Sequence, residues 1–122
     1  MRLLICDDSA FSRGGIKKAL PPGFDIEVSE VASGDEAVQR CVAGEVDLLF
    51  LDLNMPEVDG FEVLQRLKDG GFTRPVIVIT ANIQSAPAQR AKSLGARVVI
   101  QKPVTPQKLE QLFAYVKKEG AL

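Results

Sequence analysis

The sequence contains no histidine and no tryptophan, and only two cysteines and one tyrosine among 122 residues. Without histidine there is no Ser-His-Asp triad, no imidazole general base and no His-ligated zinc. Any chemistry must therefore run on carboxylates, Lys, Thr or a bound metal. Cys6 and Cys41 fall inside apolar stretches and read as buried, reduced thiols with no chemistry of their own. Long hydrophobic runs are missing too. The N-terminus has one Arg, four apolar residues and then two Asp, which is neither a secretory signal nor a membrane span, so a cytoplasmic location and no membrane partner are expected. Charge of one sign is not in excess, with 15 basic against 16 acidic residues, and composition gives no argument for nucleic acid as a partner.

What is present is an alternation of short apolar runs with segments of helical period, repeated five times without a long linker. Residues 2–7 form the first run and lead into a helix of about Ser9 to Leu20, whose Phe11, Ile16, Ala19 and Leu20 are expected to face inward. Pro21-Pro22-Gly23 stops it. Gly14-Gly15 inside this helix should cost about 1 kcal/mol each relative to Ala. Ile26 to Val31 alternates apolar and polar residues, as an edge strand does. Ser33 with Glu36 makes a capping box for a helix with Ala37, Val38, Cys41 and Val42 as its inner stripe, ended by Gly44.

Residues 47–52, DLLFLD, are apolar on both faces and predict a central strand. Val58 to Lys68 places Val58, Phe61, Leu64 and Leu67 at helical spacing, closed by Gly70-Gly71. The fourth strand is Val76 to Thr80. The helix after it, about Ser85 to Leu94, is short and poor in apolar anchors, a mark of low local stability. Arg97 to Gln101 is the fifth strand. Thr105 and Pro106 then start a helix with Leu109, Leu112, Phe113 and Val116 on one face. Together these predict a single α/β domain over residues 1–122: a doubly wound, five-stranded parallel sheet of order 2-1-3-4-5 with five helices on both faces.

Ligands bind at the carboxyl edge of such sheets. Asp7-Asp8, Asp52, Thr80 and Lys102 each stand at the downstream end of an apolar run and so converge on that edge. Carboxylates about 4 Å apart repel by roughly 4 kcal/mol at an effective dielectric near 20. Protonation of one acid relieves this, and a hard divalent cation relieves it with an all-oxygen ligand set. Two acids and one backbone carbonyl near Asn54 would suffice for magnesium, which keeps several waters. Three carboxylates, one Lys and one magnesium sum to zero formal charge, which leaves room for a phosphoryl group.

Asp7-Asp8, Asp52-Leu53-Asn54-Met55-Pro56 followed by Asp59-Gly60, Thr80-Ala81 and Lys102-Pro103, in this order and spacing, resemble the receiver domain of bacterial two-component response regulators across the whole chain. Residues 8–13, DSAFSR, resemble the chemotaxis receivers in particular. The resemblance implies that Asp52 accepts a phosphoryl group from a histidine kinase or a histidine phosphotransfer protein. It implies that Asp8 and Asp52 bind magnesium directly, Asp7 through water and Asn54 through its carbonyl. Lys102 pairs with the phosphoryl oxygens and Thr80 swings in to hydrogen-bond them. Asn54 and Asn82 stand where the family tunes the lifetime of the aspartyl phosphate, small Ala81 leaves the acceptor reachable, and Lys102-Pro103 is where the family often has a cis peptide.

One departure stands out. Three residues before Lys102 the family usually carries Tyr or Phe, and here the residue is Val99; Val104 likewise replaces a common Phe. An aromatic rotamer switch is not available at Val99, so motion of Thr80 is expected to be read through the loop and the weak fourth helix. Only a few residues follow the fifth helix. Output is therefore expected through binding of a downstream protein target, by a monomer or weak dimer, unless the sequence is a piece of a longer chain. Alternative readings are a small magnesium-dependent aspartyl-phosphate phosphatase, a receiver-shaped scaffold that is never phosphorylated, and a flavodoxin-like flavin binder. The first lacks the Asp-x-Asp and inserted cap of its family, and the last lacks a Ser/Thr/Gly-rich phosphate loop.

Overall fold

The computed structural model describes residues 1–81 and 84–120. Five strands, β1 (Arg2–Cys6), β2 (Glu27–Val31), β3 (Leu48–Leu51), β4 (Val76–Thr80) and β5 (Val98–Gln101), form one parallel sheet in the order β2-β1-β3-β4-β5. Helices α1 (Ala10–Ala19), α2 (Gly34–Val42), α3 (Gly60–Asp69), α4 (Ser85–Ser93) and α5 (Pro106–Lys118) alternate with them. The doubly wound order read from the sequence is the order found. No helix among the described residues is long and apolar enough to cross a membrane.

Period-two alternation along each strand sends side chains to opposite faces. Leu3, Ile5, Leu48, Phe50, Ile77 and Ile79 pack with Ile16 and Ala19 of α1 and with Leu109, Leu112, Phe113 and Val116 of α5. Leu4, Cys6, Leu49, Leu51, Val76 and Val78 pack with Ala37 and Cys41 of α2, Val63, Leu64 and Leu67 of α3 and Ala91 of α4. Continuing these stripes past the strand ends places the polar groups. Asp7, Asp52 and Lys102 extend the α1/α5 side, whereas Thr80 extends the other.

The local signals act as their chemistry requires at most helix starts. Ser9, Ser33, Asp59 and Thr105 each accept a hydrogen bond from the backbone N–H three residues on. Gln84, ahead of α4, makes no such bond, and Ala91 is the only fully buried residue of that helix. Its side-chain tie to α3 is Arg90, stacked 4.2 Å from the Phe61 ring centroid.

Three sequence expectations are corrected. Phe11 is 93% exposed: it lies in the first turn of α1, at the rim of the carboxyl edge, where no sheet lies beneath it. Val42 is 52% exposed because it is the last residue of α2 and projects past the sheet. The third helix begins at Gly60 rather than Val58, since the Asp59 carboxylate caps it, while Val58 packs on the core from the preceding loop.

That loop, between Asp52 and α3, is tightly folded. Glu57 adopts φ 65°, a left-handed conformation that costs a non-glycine residue about 1–2 kcal/mol. Gly60 sits so close to the chain that a Cβ would lie 2.6 Å from both the Asp52 carbonyl oxygen and the Leu53 Cα. Because the obstruction is backbone, it cannot rotate away. Gly60→Ala is expected to lower stability by about 1–3 kcal/mol in urea unfolding. An unchanged midpoint would show that the loop is not held against α3 in this way.

Candidate functional site

The β1 and β3 ladders continue one residue past the strands, with the Asp7 N–H donating to the Val31 carbonyl and the Asp52 N–H to that of Cys6. Both acids are thus fixed by backbone at the sheet edge, and both are buried, at 1% and 6% exposure. Asp8 points outward and is exposed, yet Asp7, Asp8 and Asp52 each offer an oxygen within 4.8 Å of the others. Lys102 reaches in from beyond β5, its Nζ 2.7 Å from Asp7 Oδ2 and 3.3 Å from Asp52 Oδ2. The Lys102-Pro103 peptide is cis. Asp7, Asp8, Asp52, Ala81, Lys102 and Val104 line part of one cleft of about 490 Å³.

Asp7 is the most heavily bonded of the acids. Its Oδ1 accepts from the Ser9 N–H at 2.9 Å, and its Oδ2 from the Ser12 hydroxyl at 2.6 Å as well as from Lys102. Arg13 donates to the Asp7 carbonyl at 2.7 Å and pairs with Glu30 of β2 at 3.0 Å, so α1, β1 and β2 are cross-tied behind the site. Among the described residues Asp52 has fewer donors: Oδ1 accepts from the Asn54 N–H at 3.2 Å and Oδ2 from Lys102. Asp8 accepts no hydrogen bond from the described residues. Thr80, buried at 1% exposure, receives the Asn54 side-chain amide at 3.4 Å.

Residues 3–114 match the family described as response regulator receiver domain. The chain belongs to that family. This receiver is 36% identical over 121 residues to the protein-glutamate methylesterase/protein-glutamine glutaminase of Trichodesmium erythraeum (strain IMS101), a match covering 97% of this chain and 34% of that protein. It is 32% identical over 106 residues to the sensor protein EvgS of Escherichia coli (strain K12), covering 86% of this chain and 9% of that one. The chain thus spans about a third or less of the length of either relative. Among solved structures, the REC domain of AraT, a response regulator from Geobacillus stearothermophilus, superposes with a TM-score of 0.85 at 34% identity, covering 97% of this chain and 93% of that one. The CheX-CheY-BeF3-Mg complex from Borrelia burgdorferi gives 0.82 at 28% identity, covering 96% and 89%.

Every sequence-predicted site residue of the receiver lies at the carboxyl edge except Asn82, which is outside the described residues. Asp7, Asp52 and Lys102 meet directly, Asp8 flanks them, and Asn54 bridges Asp52 to Thr80. Ser12 and Arg13 were not among the candidates. Ser12 stands four residues before the buried Ile16, so a hydroxyl on the inner stripe of α1 was the signal for it. Val99 is half-buried against the α2–α4 core. Cys6 and Cys41 are buried free thiols whose pKa burial pushes up to about 12, which keeps them unreactive.

The carboxylates differ electrostatically. Burial works against charge on Asp7, but the hydrogen bonds from Lys102, Ser12 and the Ser9 amide outweigh it and hold its pKa below the usual value. At Asp52 burial wins over the Asn54 amide and the charge of Lys102, and the pKa is raised. Burial opposes the charge of Lys102 too, yet its two carboxylate partners raise its pKa and keep it an ammonium. Because the folded-state pKa of Asp52 is raised, its protonation favours the folded protein. That contribution is complete below the unfolded value of about 3.9 and is lost as pH rises through the folded value. At neutral pH without metal, the ionised carboxylate therefore costs stability. Asp52→Asn is expected to raise unfolding stability at pH 7 by on the order of 1 kcal/mol, with the gain vanishing below about pH 3.9; a destabilised variant at pH 7 would contradict this.

Proposed function

We propose that this receiver accepts a phosphoryl group on Asp52 from the phosphohistidine of a histidine kinase or phosphotransfer protein, and that the modification switches its affinity for a downstream protein. The observation that carries this reading is the convergence of Lys102 with Asp7 and Asp52 in one cleft, at 2.7 and 3.3 Å. The donor set suits magnesium: every available ligand is a carboxylate or carbonyl oxygen, and three of them lie within 4.8 Å. Asp8, which accepts no hydrogen bond from the described residues, and Asp52, which has an open lone pair on each oxygen, would hold the ion directly. Asp7, already carrying three donors, would hold it through water, and the Asn54 carbonyl would complete the protein ligands. A divalent cation bound there supplies charge neutralisation for the oxygens of the transferring group.

The chain's own residues do the rest. An Asp52 carboxylate oxygen attacks phosphorus; the new O–P bond forms as the N–P bond to the partner's imidazole breaks, and that nitrogen leaves with the electron pair. The side chain passes from one negative charge to about two. Lys102 is already an ammonium 3.3 Å from Asp52 Oδ2, so its charge is in place before transfer. Thr80 then moves its hydroxyl from Asn54 toward the phosphoryl oxygens, which alters the chain leading to α4. The thin anchoring of α4, with no capping bond and one buried residue, makes it the element that responds.

A small phosphodonor with magnesium is expected to add one phosphoryl group by intact mass. The adduct should be absent in Asp52→Asn and strongly reduced in Lys102→Ala; labelling that persists in Asp52→Asn would refute the assignment. Phe11, exposed at the cleft rim, offers an apolar contact to a protein donor but none to a small one. Phe11→Ala should therefore slow transfer from a partner protein by about tenfold while leaving small-donor labelling unchanged. Equal slowing of both would place Phe11 in the chemistry instead.

A further inference from the structure

The Ser12 hydroxyl has no part in the phosphoryl-transfer scheme, yet it makes the shortest hydrogen bond of the site, 2.6 Å to Asp7 Oδ2. That oxygen also takes Lys102 Nζ at 2.7 Å, so both its lone pairs are used. Asp7 Oδ1 takes the Ser9 N–H, which leaves one open lone pair on the whole carboxylate. Ser12 is placed for this by the helix: the Ser9 side chain caps α1, and Ser12 lies one turn in, on the same face as the buried Ile16. Among the described residues Ser12 is thus the second donor on Oδ2 and the third on the Asp7 carboxylate.

We infer that Ser12 is a positioning residue that sets magnesium affinity by stabilising Asp7 more in the metal-free protein than in the loaded one. A hydrogen bond to a carboxylate contributes most when that carboxylate has few other positive neighbours. In the metal-free site the donors to the buried Asp7 carboxylate among the described residues are Ser9, Ser12 and Lys102. When a divalent cation shares the cluster, the field at Asp7 is already balanced and the hydroxyl contributes less. By linkage, a group that stabilises the metal-free form more than the loaded form weakens metal binding by the same factor. This inference rests on the magnesium reading above.

Calorimetric titration of magnesium into the full chain, with urea unfolding in chelator and in saturating magnesium, tests it. Ser12→Ala is expected to bind magnesium about three- to tenfold more tightly. It should also lose stability in chelator, with a deficit that shrinks when magnesium is added. Ser12→Thr, which restores a hydroxyl, should return both quantities toward the parent values. Equal or weaker binding by Ser12→Ala, or a deficit of the same size with and without metal, overturns the role of Ser12 while leaving the metal site standing. Absence of magnesium binding by all three proteins overturns the metal reading and this inference together.

Discussion

The ammonium of Lys102 held between two buried carboxylates is the interaction on which the site depends. Asp7 and Asp52 are held at the sheet edge by their own backbone hydrogen bonds, and both side chains are buried there. A single positive charge offsets one of them and leaves the cluster short of neutral. The two acids are displaced in opposite directions: the donors on Asp7 outweigh its burial and hold its pKa down, whereas burial raises that of Asp52. Among the described residues, Asp52 is the buried carboxylate of the pair with fewer hydrogen-bond donors.

The sheet makes this convergence inexpensive in sequence. Side chains alternate faces along a strand, so three residues in three strands share a side whenever each follows the same stripe. Asp7 follows Leu3 and Ile5, Asp52 follows Leu48 and Phe50, and Lys102 follows Val98 and Ile100. Thr80 follows Val76 and Val78 and so starts from the opposite side, next to Asn54. That placement puts Lys102 and Thr80 on opposite sides of the sheet edge. The same stripes that bury the core thus position the polar groups, and the core beneath them is well filled, with Phe113 packed at ring-centroid distances of 5.2 Å from Phe24 and 6.1 Å from Phe50.

Strand order, helix order and the acidic cluster were legible because each rests on period and on residue type at strand ends. Phe11 and Val42 were misread because helical spacing reports a face but not whether a sheet lies beneath it, and both residues stand at helix ends. The start of α3 was misread because Val58 is apolar for packing from a loop, while the capping carboxylate of Asp59 decides where the helix begins. Ser12 escaped notice for a different reason. Its spacing from Ile16 puts it on the inner stripe of α1, but the partner that its hydroxyl meets there, Asp7, is set by the path of β1 into α1. Composition could not order the carboxylates either, since burial and hydrogen-bond count distinguish them and both depend on tertiary contacts.

The most direct test of the central claim is a crystal structure of this chain with magnesium and beryllofluoride, a phosphoryl analogue that mimics the modified acid. The geometry predicts the analogue on a carboxylate oxygen of Asp52, the cation against Asp8 and Asp52, and the Lys102 ammonium turned from Asp7 toward the analogue. A structure in which the analogue sits elsewhere, or in which Lys102 remains on Asp7 with no cation at the acids, would contradict it.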